Sequence, residues 1–173
     1  MGKASGFDND GVASLLPLGK NQLILTKQND RFLKSIQQSV LFQRAYNRLL
    51  RVPNLEIREA MNELKRMGKQ VVIISASSKA WYKTLPKWLR ENGFLFDDLL
   101  LREDTEEDFL VYKKRLVFEI CNSYIDDTKA VVDFLKESNN TTGCRVLHYQ
   151  KQKKEEILSF YTAKDCQSTL QTA

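Results

Sequence analysis

The chain has 173 residues, of which 42% are hydrophobic and 28% charged, and a formal net charge of +5. That length and balance fit one globular domain with a core of its own and exclude disorder throughout. Three cysteines (Cys121, Cys144 and Cys166) with no C-x-x-C pattern, and a single histidine, His148, argue against a zinc site of the nitrogen and sulfur type.

In chain order, Val12–Leu16 and Leu23–Thr26 flank a Pro17/Gly19 turn and predict a hairpin or flap. Residues 31–50 place Phe32, Leu33, Ile36, Val40, Leu49 and Leu50 among polar neighbours, as one amphipathic helix ending before Pro53 would. Asn54 can cap a further helix with apolar positions Ile57, Ala60, Met61 and Leu64, stopped at Gly68. Val71–Ile74, four β-branched residues in a row, suits a strand buried on both faces.

A helix from Lys79 to Glu91 ends at Asn92-Gly93, followed by a short strand at Leu99–Leu101. A helix over Lys113–Cys121, a strand at Ser123–Ile125, a helix over Thr128–Glu137 and a strand at Arg145–Tyr149 complete the alternation. Residues 151–160 open a terminal helix, and residues 163–173 read as a tail. The pattern is α/β: a mainly parallel sheet with helices on both faces. No apolar run suggests a signal core or a membrane span, so a cytoplasmic protein without a membrane partner is expected. Basic residues are interleaved with acids along the whole chain, so the net charge favours anionic partners without singling out nucleic acid.

Four stretches carry chemistry: Phe7-Asp8-Asn9-Asp10-Gly11, Val71–Ser75, Lys113-Lys114 and Tyr124-Ile125-Asp126-Asp127. Ligands bind open parallel sheets at the carboxyl ends of strands, and Ser75, Asp126 and Asp127 each follow a strand. If Asp8 and Asp10 also follow one, four carboxylates and a hydroxyl converge. Crowded carboxylates raise one another's pKa unless a cation lies among them, and oxygen ligands of this kind select Mg²⁺. Blander readings stand beside these. Asp8–Gly11 can be an Asx turn, Ser75 a cap, and either Asp126 or Asp127 the cap of the next helix. An EF-hand alignment puts Pro17 where a bidentate glutamate is needed, and fails.

The same stretches resemble the motifs of the haloacid dehalogenase-like (HAD) superfamily, across about residues 7–149. Asp8-Asn9-Asp10-Gly11 resembles its first motif, Val71–Ser75 its second, Lys113 or Lys114 its third, and Ser123–Asp127 its fourth. The stretch Leu99–Ile120 also resembles the polynucleotide kinase-phosphatase branch. The resemblance implies a three-layer α/β/α Rossmannoid domain over residues 1–150, with a flap and small cap at about 12–52, and a helix and tail at 151–173. It implies a Mg²⁺-dependent phosphomonoesterase with Asp8 as nucleophile and Asp10 as general acid and base. Ser75 and Lys113 or Lys114 would hold the phosphoryl group. Asp8, Asp10 (through its backbone carbonyl), Asp126 and Asp127 would surround the cation.

The implied partner is a phosphorylated substrate: a nucleotide or sugar phosphate, a nucleic acid end or a phosphoprotein. A catalytically silent binding or scaffold module on the same fold, and a nucleic-acid-binding protein, are the alternatives. In the family an apolar central strand precedes the first motif, and residues 1–6 offer only Met1 and Ala4. A strand of Lys3-Ala4-Ser5-Gly6 has poor propensity, so it is either short and held by its neighbours, or the N-terminus is altered.

Overall fold

Among the described residues, seven strands and six helices follow one another. The strands are β1 (Ala4–Phe7), β2 (Ser14–Leu15), β3 (Val52–Pro53), β4 (Val71–Ser78), β5 (Asp98–Arg102), β6 (Cys121–Asp126) and β7 (Arg145–His148). The helices are α1 (Val40–Leu49), α2 (Leu55–Arg66), α3 (Leu85–Glu91), α4 (Phe109–Ile120), α5 (Lys129–Glu137) and α6 (Lys154–Thr162), with a 3₁₀ turn at Lys79–Lys83. This computed structural model describes residues 3–15, 39–103, 107–139 and 142–163. The Pro17/Gly19 turn, the arm Leu23–Thr26, the first part of the helix expected over 31–50, and nearly all of the expected tail lie outside the described residues.

Five strands form one parallel sheet in the order β5-β4-β1-β6-β7. Strand alternation sends successive side chains to opposite faces, and two cores result. Phe7, Val71, Ile73 and Ile125 pack with Ile57, Met61 and Leu64 of α2, Leu85 and Leu89 of α3, and Ile157 and Tyr161 of α6. On the other face Ala4, Val72, Ile74 and Tyr124 pack with Tyr112 and Val117 of α4 and Val131 and Leu135 of α5. This is the expected α/β/α architecture with a HAD-like Rossmannoid layout. Among the described residues no helix is long and apolar enough to cross a membrane.

Helix α2 buries the four apolar positions read from its period and stops at Gly68, whose φ of +73° only a glycine adopts readily. Asn54 stands at the N-cap but its side chain does not cap. Its amide donates instead to the Val12 carbonyl and to the Tyr149 hydroxyl, both at 2.8 Å. The helix expected over Lys79–Glu91 is broken at Thr84. Pro86 has no N–H to continue the ladder and its ring crowds the carbonyl four residues back. Helix α4 starts before Lys113, because the Asp108 carboxylate accepts from the backbone N–H of Leu110 and Val111 and caps it there. The described arm of the expected hairpin, Ser14–Leu15, pairs antiparallel with Val52–Pro53.

The central strand is β1, the segment whose sequence looked least like one. All four of its residues are buried. Gly6 pairs with Val72 on one side and Tyr124 on the other. A Cβ on Gly6 would stand 2.5 Å from Cys121 Sγ and 2.9 Å from Tyr124 Cδ2. The absent side chain is the space in which the fully buried Tyr124 ring lies. Gly6→Ala would ordinarily gain stability by restricting the unfolded chain. Here overpacking wins, and we expect a loss of about 1–3 kcal/mol, read as a lower urea midpoint with an unchanged m-value.

Candidate active site

The first motif leaves the end of β1, with the Asp8 backbone N–H donating to the Ile125 carbonyl at 2.8 Å. Asp126 ends β6 and Lys113 projects from α4, its Nζ 2.7 Å from Asp8 Oδ1 and 2.5 Å from Asp126 Oδ2. All three side chains are at most 6% exposed. One ammonium therefore bridges two carboxylates in an almost wholly buried position. Tyr124, two residues before Asp126 on the same strand face, places its hydroxyl 3.0 Å from Asp126 Oδ2. The other oxygen, Asp126 Oδ1, accepts from the Thr128 N–H at 2.9 Å and so turns the chain into α5.

Of the paired acids, Asp126 thus serves both the helix start and the site. Asp127 carries the free valence: its Oδ1 is buried with no hydrogen-bond partner among the described residues. Carboxylate oxygens of Asp8, Asp126 and Asp127 lie within 4.8 Å of one another. His148 Nε2 lies 2.9 Å from the Asp127 carbonyl oxygen; that nitrogen carries the proton and donates. Gly11, at φ +93°, lets the loop pass directly over Asp127: a Cβ there would stand 1.9 Å from Asp127 Oδ2. The Asp10-Gly11 step is thereby fixed by the fourth motif and not by turn propensity alone.

Burial drives the Asp8 carboxyl well above its ordinary range. Lys113 opposes that shift, and Asp126, Asp127 and Asp10 add to it. Asp127 is pushed up to about 6, first by its burial and then by the Asp126 charge. Burial pulls the Lys113 ammonium down, yet Asp126 and Asp8 outweigh it and keep the proton on.

Ser75 is buried in β4, where the register Phe7↔Ile73 carries it past the end of β1; its Oγ accepts from the Ser77 N–H at 3.1 Å. The Asp10 carboxylate is not part of the three-acid cluster. Its Oδ1 meets Arg51 Nη2 at 3.0 Å and Ser14 Oγ at 3.4 Å, and its Oδ2 accepts from Ser77 Oγ at 3.0 Å. Lys114 is not brought to the site either; its Nζ lies 5.5 Å from the Phe134 ring centroid, one helical step round from Lys113.

Three residues at the site escaped the sequence reading. Ser77 and Tyr124 had a signal in the period of two, which sets them on the faces of Ser75 and Asp126 respectively. Arg51 had none: its guanidinium is enclosed by Tyr46, Trp81 and Trp88, at 5.4, 5.3 and 5.4 Å from the ring centroids. Trp81 therefore packs on Arg51.

No model of a known protein family matches this sequence, and no curated protein matches it. Solved structures do. A chain of the Pnkp1/Rnl/Hen1 RNA repair complex superposes with a TM-score of 0.58 at 19% identity, covering 85% of this chain and 42% of that one. This chain thus spans less than half the length of that neighbour. A Thermotoga maritima protein assigned as a beta-phosphoglucomutase gives 0.52 at 17% identity, covering 91% and 97%. The HAD domain of the Legionella pneumophila effector protein Lem4 gives 0.54 at 12% identity, covering 91% and 95%. The fold is that of the HAD domains.

Two outcomes follow from the charge balance. Lys113→Ala strands two buried carboxylates without a counter-charge, and should cost on the order of 3–5 kcal/mol in chelator, by urea unfolding. A carboxyl raised in the folded state binds protons more tightly there than in the unfolded chain. The contribution of Asp127 is therefore present below pH ~4 and lost as pH rises through about 6. A divalent cation bound among the three acids would offset that loss, so any rise in Tm on adding Mg²⁺ should be larger at pH ~7.5 than at pH ~4.5 by scanning calorimetry.

Proposed function

We propose that this chain is a Mg²⁺-dependent phosphomonoesterase that works through an aspartyl-phosphate on Asp8. The observation that carries the reading is the Asp8–Lys113–Asp126 bridge at the carboxyl ends of adjacent parallel strands. It puts a carboxylate, an ammonium and two further acids where such sheets receive ligands. The donor set fits magnesium: it is all carboxylate oxygen, limited to three acids, and includes the unpartnered Asp127 Oδ1. Asp8, Asp126 and Asp127, with the Asp10 backbone carbonyl, would hold the ion. When bound, it supplies positive charge that offsets the repulsion between Asp8 and a phosphate dianion.

The residues then divide the work. An Asp8 oxygen bonds to phosphorus as the ester P–O bond breaks, and Asp10 gives its proton to the leaving oxygen. Lys113 and Ser75 hold oxygens of the transferring group, with the ammonium moving from carboxylate to phosphoryl charge. Water then attacks phosphorus, Asp10 takes its proton, and Asp8 is released with inorganic phosphate. The fold shared with HAD domains supports phosphatase chemistry at the level of fold, and the substrate this reading calls for is a phosphate monoester.

The test is hydrolysis of nitrophenyl phosphate with and without Mg²⁺, beside Asp8→Asn. Turnover should require the ion and fall by a factor on the order of 10³ or more in the variant. Absent turnover with retained Mg²⁺ binding would replace this reading by the silent binding module. Turnover untouched by the substitution would remove Asp8 as nucleophile.

A further inference from the structure

Arg51 is the most completely enclosed charge in the described structure outside the carboxylate cluster. Its side chain is 2% exposed and lies just past α1, where β3 begins. Rings from three separate elements surround it: Tyr46 from α1, Trp81 from the 3₁₀ turn and Trp88 from α3. Its Nη2 meets Asp10 Oδ1 at 3.0 Å, while Nε and Nη1 have no partner among the described residues.

Stability does not account for this arrangement. Taking a guanidinium out of water costs several kcal/mol, and an apolar side chain of similar volume commonly packs in such a place at no loss. Here the charge is kept although part of its hydrogen-bonding capacity goes unused. What it achieves is geometric. A guanidinium with three aromatic rings within 5.4 Å has little room to swing, so its Nη2 holds the Asp10 Oδ1 it meets. Ser77 Oγ holds the other Asp10 oxygen at 3.0 Å, so both oxygens of one carboxylate are set in direction.

We propose that Arg51 is a positioning residue for Asp10, aiming its carboxyl group at the leaving oxygen through a guanidinium locked between Tyr46, Trp81 and Trp88. The proposal rests on the phosphatase reading and adds a residue to it. Proton transfer is efficient only when donor and acceptor are held within hydrogen-bond reach. In the first step the P–O ester bond breaks, the electron pair goes to the leaving oxygen, and Asp10 supplies the proton. An alkoxide needs that proton; a nitrophenolate leaves without it. In the second step water bonds to phosphorus, the bond to Asp8 breaks, and Asp10 receives the proton, whatever the substrate was.

The parameter kcat/KM reports only the events up to phosphoryl transfer. It should therefore separate aiming from packing. Arg51→Gln is expected to lower kcat/KM for glycerol phosphate roughly tenfold or more beyond its effect on nitrophenyl phosphate. Ser77→Ala, a small change in the second grip, should move the same ratio in the same direction by less, and guards against a failure of Arg51→Gln to fold. Equal losses on both substrates in the variants that fold would mean that Arg51 and Ser77 only support the fold, and would overturn the positioning role. Wild-type turnover of nitrophenyl phosphate, abolished by Asp8→Asn, would show that the phosphatase reading survives that result. A wild-type protein inactive on both substrates would overturn the two readings together.

Discussion

A single ammonium shared by two carboxylates, all three side chains almost wholly buried, sets the terms for the rest of this molecule. Neither Asp8 nor Asp126 could be buried as an anion without Lys113, and Lys113 could not be buried without them. The three groups come from β1, β6 and α4, so the sheet and one covering helix must be in register before any of the charges is compensated. That makes the site a consequence of the fold's closure. The third acid, Asp127, is left over in this balance, with one buried oxygen that has no hydrogen-bond partner among the described residues.

The support for this triad reaches back to the least promising residue of the central strand. Gly6 offers no side chain to pack, which weakens a strand in isolation. In place, it yields its volume to Tyr124, and Tyr124 delivers its hydroxyl to Asp126. A short strand with one glycine is thus not a damaged copy of a better one. It is held by parallel partners on both sides, and its composition is complementary to theirs.

That complementarity explains what the sequence did and did not disclose. Val71–Ile74 and the Asn54–Gly68 helix were readable because their signals are local: β-branching in the one, a helical period with a glycine stop in the other. Asp8 was placed correctly just past a strand and Asp126 at the end of one, whereas the strand expected to stop before Ser75 runs on to Ser78 and holds that serine inside it. Which lysine reaches the carboxylates was open because adjacent helical residues point about 100° apart and only the phase of α4 decides. That phase puts Lys113 in line with the buried Val117 and turns Lys114 towards Phe134. Arg51 was not readable at all, since its surroundings come from three elements that the chain brings together only on folding. The value of Gly6 was hidden for the same reason: it depends on Tyr124, far along the chain.

The terminal helix has a bearing on when this site can exist. Tyr161 donates its hydroxyl to the Gly6 carbonyl, and its ring lies 4.7 Å from that of Phe7. The central strand is therefore seated by β4, by β6 and by α6, so most contacts that fix Asp8 span a large part of the chain. Contacts of such long separation are slow to form, because loop closure must be met before they return anything. During synthesis the first motif leaves the ribosome long before the residues that will flank it, and stays exposed in the interval. A fragment lacking α6 would have the four motifs and yet lack the latch that seats the strand carrying the first of them.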